Sequence, residues 1–162
     1  VHRRASVKAY ERFDPVYFCF CNMAQFKQYK LGFDRMFHIL EISDEAARVQ
    51  QAAIDAQQAA IAAIRPGVTA ESIAEAANEV YAERGYETGY RTGRSIGMAY
   101  LESPELKHGD KTILKAGMTF AVDGGISVDG ELGGRIGDSI VVTETGCDYL
   151  TDYPRQLLVV DR

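Results

Sequence analysis

Leu114-Lys115-Ala116-Gly117-Met118-Thr119-Phe120-Ala121-Val122-Asp123, with Gly124-Gly125 behind it and Arg135-Ile136-Gly137-Asp138-Ser139-Ile140-Val141-Val142-Thr143 further on, decides the fold. These segments are apolar, β-branched and rich in glycine, which predicts strands at 118–123, 125–128 and 139–143, broken by turns at Asp129-Gly130 and Gly133-Gly134. Working outward, Thr69 is a cap for a helix with an apolar stripe at Ile73, Ala76, Ala77, Val80 and Tyr81, stopped by Gly85. Ser43 caps an earlier helix, with Asp44 and Glu45 in its first turn and Pro66-Gly67 at its end. Upstream, 17–21 and 32–40 form two antiparallel strands joined by a polar link. Strands, two helices and strands in that order give an α+β domain, a curved antiparallel sheet backed by helices.

The 162 residues are 46% hydrophobic and 25% charged, enough for one core and one domain. A net charge of -5, with no segment dense in Lys or Arg, argues against a nucleic-acid partner. The longest apolar runs, at 16–20 and 157–160, are too short to span a bilayer, and the N-terminus carries no export pattern, so no membrane association and a cytoplasmic location are expected. Three cysteines make no disulfide framework. Cys19 and Cys21, two apart on a strand, point to one face and are weak as a zinc motif without a second cluster. The chain opens on Val1-His2-Arg3-Arg4, which suggests a fragment or a processed chain.

Several stretches, in order, resemble the pita-bread family of methionine aminopeptidase, aminopeptidase P, prolidase and creatinase, peptidase family M24. Residues 59–69 match its helix-Pro-Gly-helix joint, and Gly93-Arg94-Ser95-Ile96-Gly97 is similar to its Gly-His-x-Ile-Gly turn. The 114–123 and 135–143 segments match its last strands, and Leu150-Thr151-Asp152-Tyr153-Pro154-Arg155 its closing segment. The likeness spans roughly 29–155, so residues 1–162 are expected to be a single partial, C-terminal catalytic-type domain with the N-terminal part of the fold missing.

The resemblance implies a site of two divalent metals held by two aspartates, a histidine and two glutamates, because hard ions prefer oxygen donors. The first aspartate falls on Cys21 or Cys19, the second on Gly32, the histidine on Arg94, and the glutamates on Asp123 and Gly137. A guanidinium cannot coordinate a cation. No metal and no cofactor are therefore expected. Creatinase, a relative that hydrolyses a guanidino compound without metal, and ectoine hydrolase are the nearer models. They imply Asp34 and Asp123 as acids able to clamp a cation and His2 as proton shuttle; Arg94 and Gly137 depart from creatinase's two other site histidines, and Arg94 can instead bind a substrate carboxylate bidentately.

Three functions stay open on this basis: a metal-independent hydrolase of a carbon-nitrogen bond in a small polar compound, an inactive homologue serving as a subunit or binding module, and an Xaa-Pro peptidase completed by residues outside the chain. The family implies a homodimer. Plainer roles compete at each position. Asp123 can end a strand at a Gly124-Gly125 turn, Arg94 can pair with Asp123 or Glu102, and Arg135 can pair with Asp138. His38 is expected as a satisfied core histidine and His108 as a loop residue.

Overall fold

The computed structural model describes residues 7–21, 25–87, 91–128 and 132–161. Strand β1 (Pro15–Cys19) pairs antiparallel with β4 (Asp34–Ile39), and the link between them carries a two-stranded ladder of β2 (Gln25–Phe26) and β3 (Tyr29–Lys30). Helices α1 (Asp44–Ala63) and α2 (Ala70–Glu83) follow, then β5 (Gly93–Ser95), β6 (Glu102–Leu106), β7 (Thr119–Val128), β8 (Leu132–Val142), β9 (Cys147–Tyr149) and β10 (Leu158–Val160). The main sheet runs β1-β4-β8-β7-β5-β6; β9 joins β8, and β10 joins β4 in parallel.

Both helix starts follow from their caps. The Ser43 hydroxyl accepts from the Ala46 amide at 3.2 Å and the Thr69 hydroxyl from the Ser72 amide at 3.3 Å, each satisfying a donor that lacks an intrahelical partner. The connection turns at Gly67, whose φ of +90° only glycine adopts without strain. Helix α1 lays Val49, Ala52, Ala53, Ala56 and Ala60 against β7 and β8, and the shared core collects Ile73, Leu106, Leu114, Phe120, Val122 and Ile140. Burying each of the larger side chains contributes about 1.5–3 kcal/mol.

The strand pair departs from expectation. Strands β7 and β8 run unbroken from Thr119↔Val141 to Val128↔Leu132, straight through Gly124-Gly125 and Gly133-Gly134. Asp123 therefore lies mid-strand, not at a turn. Packing explains the glycines: a Cβ on Gly124 would lie 2.1 Å from the Ala53 carbonyl oxygen, and one on Gly134 2.8 Å from that of Val49. They are the places where the helix backbone touches the sheet. Side chains on the opposite face are left to the site.

Candidate functional site

Cross-strand register builds the site. Asp34 on β4 faces Gly137 on β8, which faces Asp123 on β7, and Arg94 on β5 pairs with the neighbouring Ala121. A Cβ on Gly137 would stand 2.9 Å from Asp123 Oδ1 and 3.0 Å from Asp34 Oδ2, so two carboxylates converge on a position without a side chain. Into this space comes Arg94, only 2% exposed. It donates through Nη1 to Asp123 Oδ2 at 2.8 Å, through Nη2 to Cys21 Sγ at 3.0 Å, and through Nε to the Tyr100 carbonyl at 2.9 Å.

Cys21 in turn lies 3.5 Å from Asp34 Oδ1. Arg135 Nη2 approaches Asp34 Oδ2 at 3.6 Å, beyond hydrogen-bond length. The Arg135 guanidinium lies over Gly125, where a Cβ would sit 2.4 Å from Nη1, and near the Tyr17 ring at 5.8 Å. Burial pushes the Asp123 carboxyl up to about 6, against the pull of Arg94 and with a further push from Asp34. Burial and the charge of Asp34 push the Cys21 thiol up to about 12 and raise the Tyr17 phenol, so both are neutral at pH 7.

In front of this row opens a cleft of about 720 Å³, lined by Tyr17, Cys19, Cys21, Asp34, Arg91, Arg94, Tyr100 and Arg135, with Ile126, Ser127 and Gly133 at its edge. Asp34, Arg94 and Asp123, singled out in the sequence, do come together. Asp34 and Arg94 line the cleft, whereas Asp123 sits behind Arg94 and fixes it. His2 lies outside the described residues.

Arg135 does not pair with Asp138. Residues three apart on a strand face opposite sides, and Asp138 is held on the other face by Arg35 at 2.8 Å, Thr151 at 2.7 Å, Gln57 at 3.0 Å and Arg155 at 3.3 Å. That alternation was the available signal for Arg135 as a cleft residue. Arg91, Tyr17 and Tyr100 gave none, because their placement depends on strand neighbours distant in sequence. Glu102 accepts from the Ala99 amide at 2.7 Å. His38 is buried as expected, yet among the described residues neither ring nitrogen has a hydrogen-bond partner, and burial lowers its pKa. His108 is an exposed loop residue.

The donor set does not fit a pair of hard divalent ions. Cys19, Cys21 and Asp34 offer ligand atoms within 4.8 Å of one another, but two are soft thiols, one of them held protonated and bonded to a guanidinium. At Gly32 a Cβ would lie 2.4 Å from Ala121 Cβ and 3.1 Å from Arg94 Nη2, so the place of a missing carboxylate has been closed.

Residues 2–144 match the model of metallopeptidase family M24. The chain is 39% identical over 128 residues to the probable dipeptidase PepE of Mycobacterium tuberculosis, covering 78% of this chain and 34% of that protein. It is 38% identical over 139 residues to an agropine synthesis cyclase of Rhizobium rhizogenes, covering 83% and 35%. The crystal structure of a dipeptidase from Pyrococcus horikoshii superposes with a TM-score of 0.89 at 30% identity, over 98% of this chain and 45% of that one. The chain thus spans about a third of the length of the curated relatives it matches. With a pita-bread fold, the ordered family motifs and these likenesses, this chain belongs to metallopeptidase family M24.

Proposed function

We propose that this M24 hydrolase domain works without the family's metal pair and cleaves a carbon-nitrogen bond in a small polar compound. One observation carries the reading: the Arg94 guanidinium stands bonded to Asp123 and Cys21 where the metallopeptidases need a cation-binding donor. A fixed positive charge there repels a divalent ion and can itself stabilise negative charge that develops on a substrate. Asp34 and Arg94 would hold the substrate in the cleft, Asp123 would keep Arg94 oriented, and His2 would move the proton that the departing nitrogen requires. A cytoplasmic homodimer belongs to the same proposal, on family likeness.

A relative named as an agropine synthesis cyclase favours a second reading. The same cleft would then close a ring within one substrate, an internal group taking the place of water.

The test joins two measurements on the purified protein. Elemental analysis should find no stoichiometric manganese, cobalt or zinc, and hydrolysis of a panel of guanidino and amide compounds should persist in EDTA and fall at least tenfold in Asp34→Asn. Two equivalents of bound metal, with activity abolished by EDTA, would overturn the proposal. Metal-free, folded protein inert toward every compound would favour a binding module instead.

A further inference from the structure

Two of the three cysteines meet at the wall of the cleft. Cys19 ends β1 opposite Asp34, Cys21 lies two residues on, and both sulfurs and an Asp34 carboxylate oxygen stand within 4.8 Å of one another. Cys19 is exposed and Cys21 half-buried. The Phe20 amide between them still donates to the Phe33 carbonyl at 2.8 Å, so the chain stays extended past the end of β1. Residues two apart on an extended chain have Cα atoms about 6.4–6.8 Å apart, the upper end of what a disulfide spans. A bridge closed there is strained and readily reduced. The groups that closure needs surround Cys21. Its thiol lies 3.5 Å from Asp34 Oδ1, which can take the proton, and Arg94 Nη2 stands 3.0 Å from the sulfur, where it stabilises a developing thiolate.

We infer that Cys19 and Cys21 are an oxidisable dithiol that organic hydroperoxides convert to a disulfide, with Asp34 as proton acceptor. The inference is independent of the metal-free reading and of the reaction run in the cleft. The accessible Cys19 sulfur attacks the hydroperoxide, takes up one oxygen as a sulfenic acid and releases the alcohol. The Cys21 sulfur then bonds to the Cys19 sulfur, and its proton passes through Asp34 to the departing hydroxide, which leaves as water. The two thiols supply the electron pair that reduces the peroxide. Because burial and the charge of Asp34 hold Cys21 protonated, the second step depends on that carboxylate and not on a preformed thiolate. Closure withdraws the S–H from Asp34 and weakens the sulfur as an acceptor for Arg94, which ties the thiol state to the charged row of the cleft. Cys147 takes no part: it lies on β9 and donates to the Ile61 carbonyl of α1 at 3.4 Å.

The experiment treats the reduced, purified chain with tert-butyl hydroperoxide in EDTA and follows intact mass, thiol titration after denaturation, and peptide mass. The mass should fall by that of two hydrogens, titratable thiols should drop from three to one, and the bridged peptide should join Cys19 to Cys21 within one chain, reversed by dithiothreitol. Asp34→Asn should slow bridge closure at least about tenfold. Cys21→Ser decides the matter should Asp34→Asn fail to fold: dimedone should then trap Cys19 as sulfenic acid, with no loss of two hydrogens. Disulfides between chains or to Cys147, Cys19 oxidised to sulfinic acid while Cys21 stays reduced, or closure in Asp34→Asn as fast as in the unaltered protein would overturn the inference. So would a chain whose thiols all survive the peroxide.

Discussion

Asp123 stands between opposing influences: burial and the charge of Asp34 favour its neutral form, Arg94 its ionised form, and the balance leaves it near 6. Removing the guanidinium in Arg94→Gln should raise that pKa further, visible as an upward move of the carboxyl carbon titration in NMR; a downward move would contradict the assignment. The same group sets a pH dependence of stability. Its folded pKa exceeds the ordinary value of 3.8, so the folded state binds the extra proton. The contribution is present in full below about pH 4, is lost as pH rises to about 6, and amounts to roughly 3 kcal/mol at about 1.4 kcal/mol per unit. Asp123→Asn should flatten the decline in urea-unfolding free energy between pH 4.5 and 7, whatever it does to the absolute value. A second residue-scale outcome concerns the thiols. Cys19 is exposed and Cys21 half-buried with its pKa pushed up to about 12, so iodoacetamide at pH 8 should alkylate Cys19 well ahead of Cys21 by peptide mass. At this scale the sequence was informative about identity and silent about company. Arg94 and Asp123 could be named from their motifs, but the sulfur that Arg94 also reaches is 73 residues away in the chain.

Elements divide into those announced by local chemistry and those fixed by what packs on them. Both helices were legible because Ser43, Thr69, Pro66-Gly67 and Gly85 mark their ends chemically. The paired glycines were not, because glycine signals a turn and a close backbone approach alike. In β7 and β8 the second meaning holds, and it is testable. Gly124→Ala would drive a methyl into the Ala53 carbonyl of α1 and should lower stability by about 1–3 kcal/mol in urea unfolding. Gly133→Ala, whose Cβ meets nothing nearer among the described residues than the Ile126 oxygen at 3.4 Å, should change it by less than about 0.5 kcal/mol. Equal effects would mean that helix and sheet do not meet as described. Gly125 is a third case: the obstacle there is the flexible Arg135 side chain, so alanine would disturb the cleft before the fold.

For the molecule as a whole, motif order gave away the fold, since the order of strands and helices is written along the chain. The cleft was only partly legible, because it is assembled across five strands whose register no local stretch records. That register also bears on the proposed metal-free reading, because Gly32 and Gly137, where the family's donors would fall, are closely surrounded. Restoring donors one position at a time, as Gly32→Asp, Arg94→His and Gly137→Glu, ignores the closure around them. The new side chain at 32 would start 2.4 Å from Ala121 Cβ, and the one at 137 would start 2.9 and 3.0 Å from oxygens of Asp123 and Asp34. Overpacking and massed negative charge in a buried row both destabilise. The triple variant should therefore melt well below the unaltered protein and show no stoichiometric manganese uptake by calorimetry, and adding Ala121→Gly should recover part of the lost stability by relieving the clash at 32. A triple variant that melts like the parent would mean that the space around Gly32 and Gly137 is open, and that this cleft differs from a metallopeptidase site in donors alone.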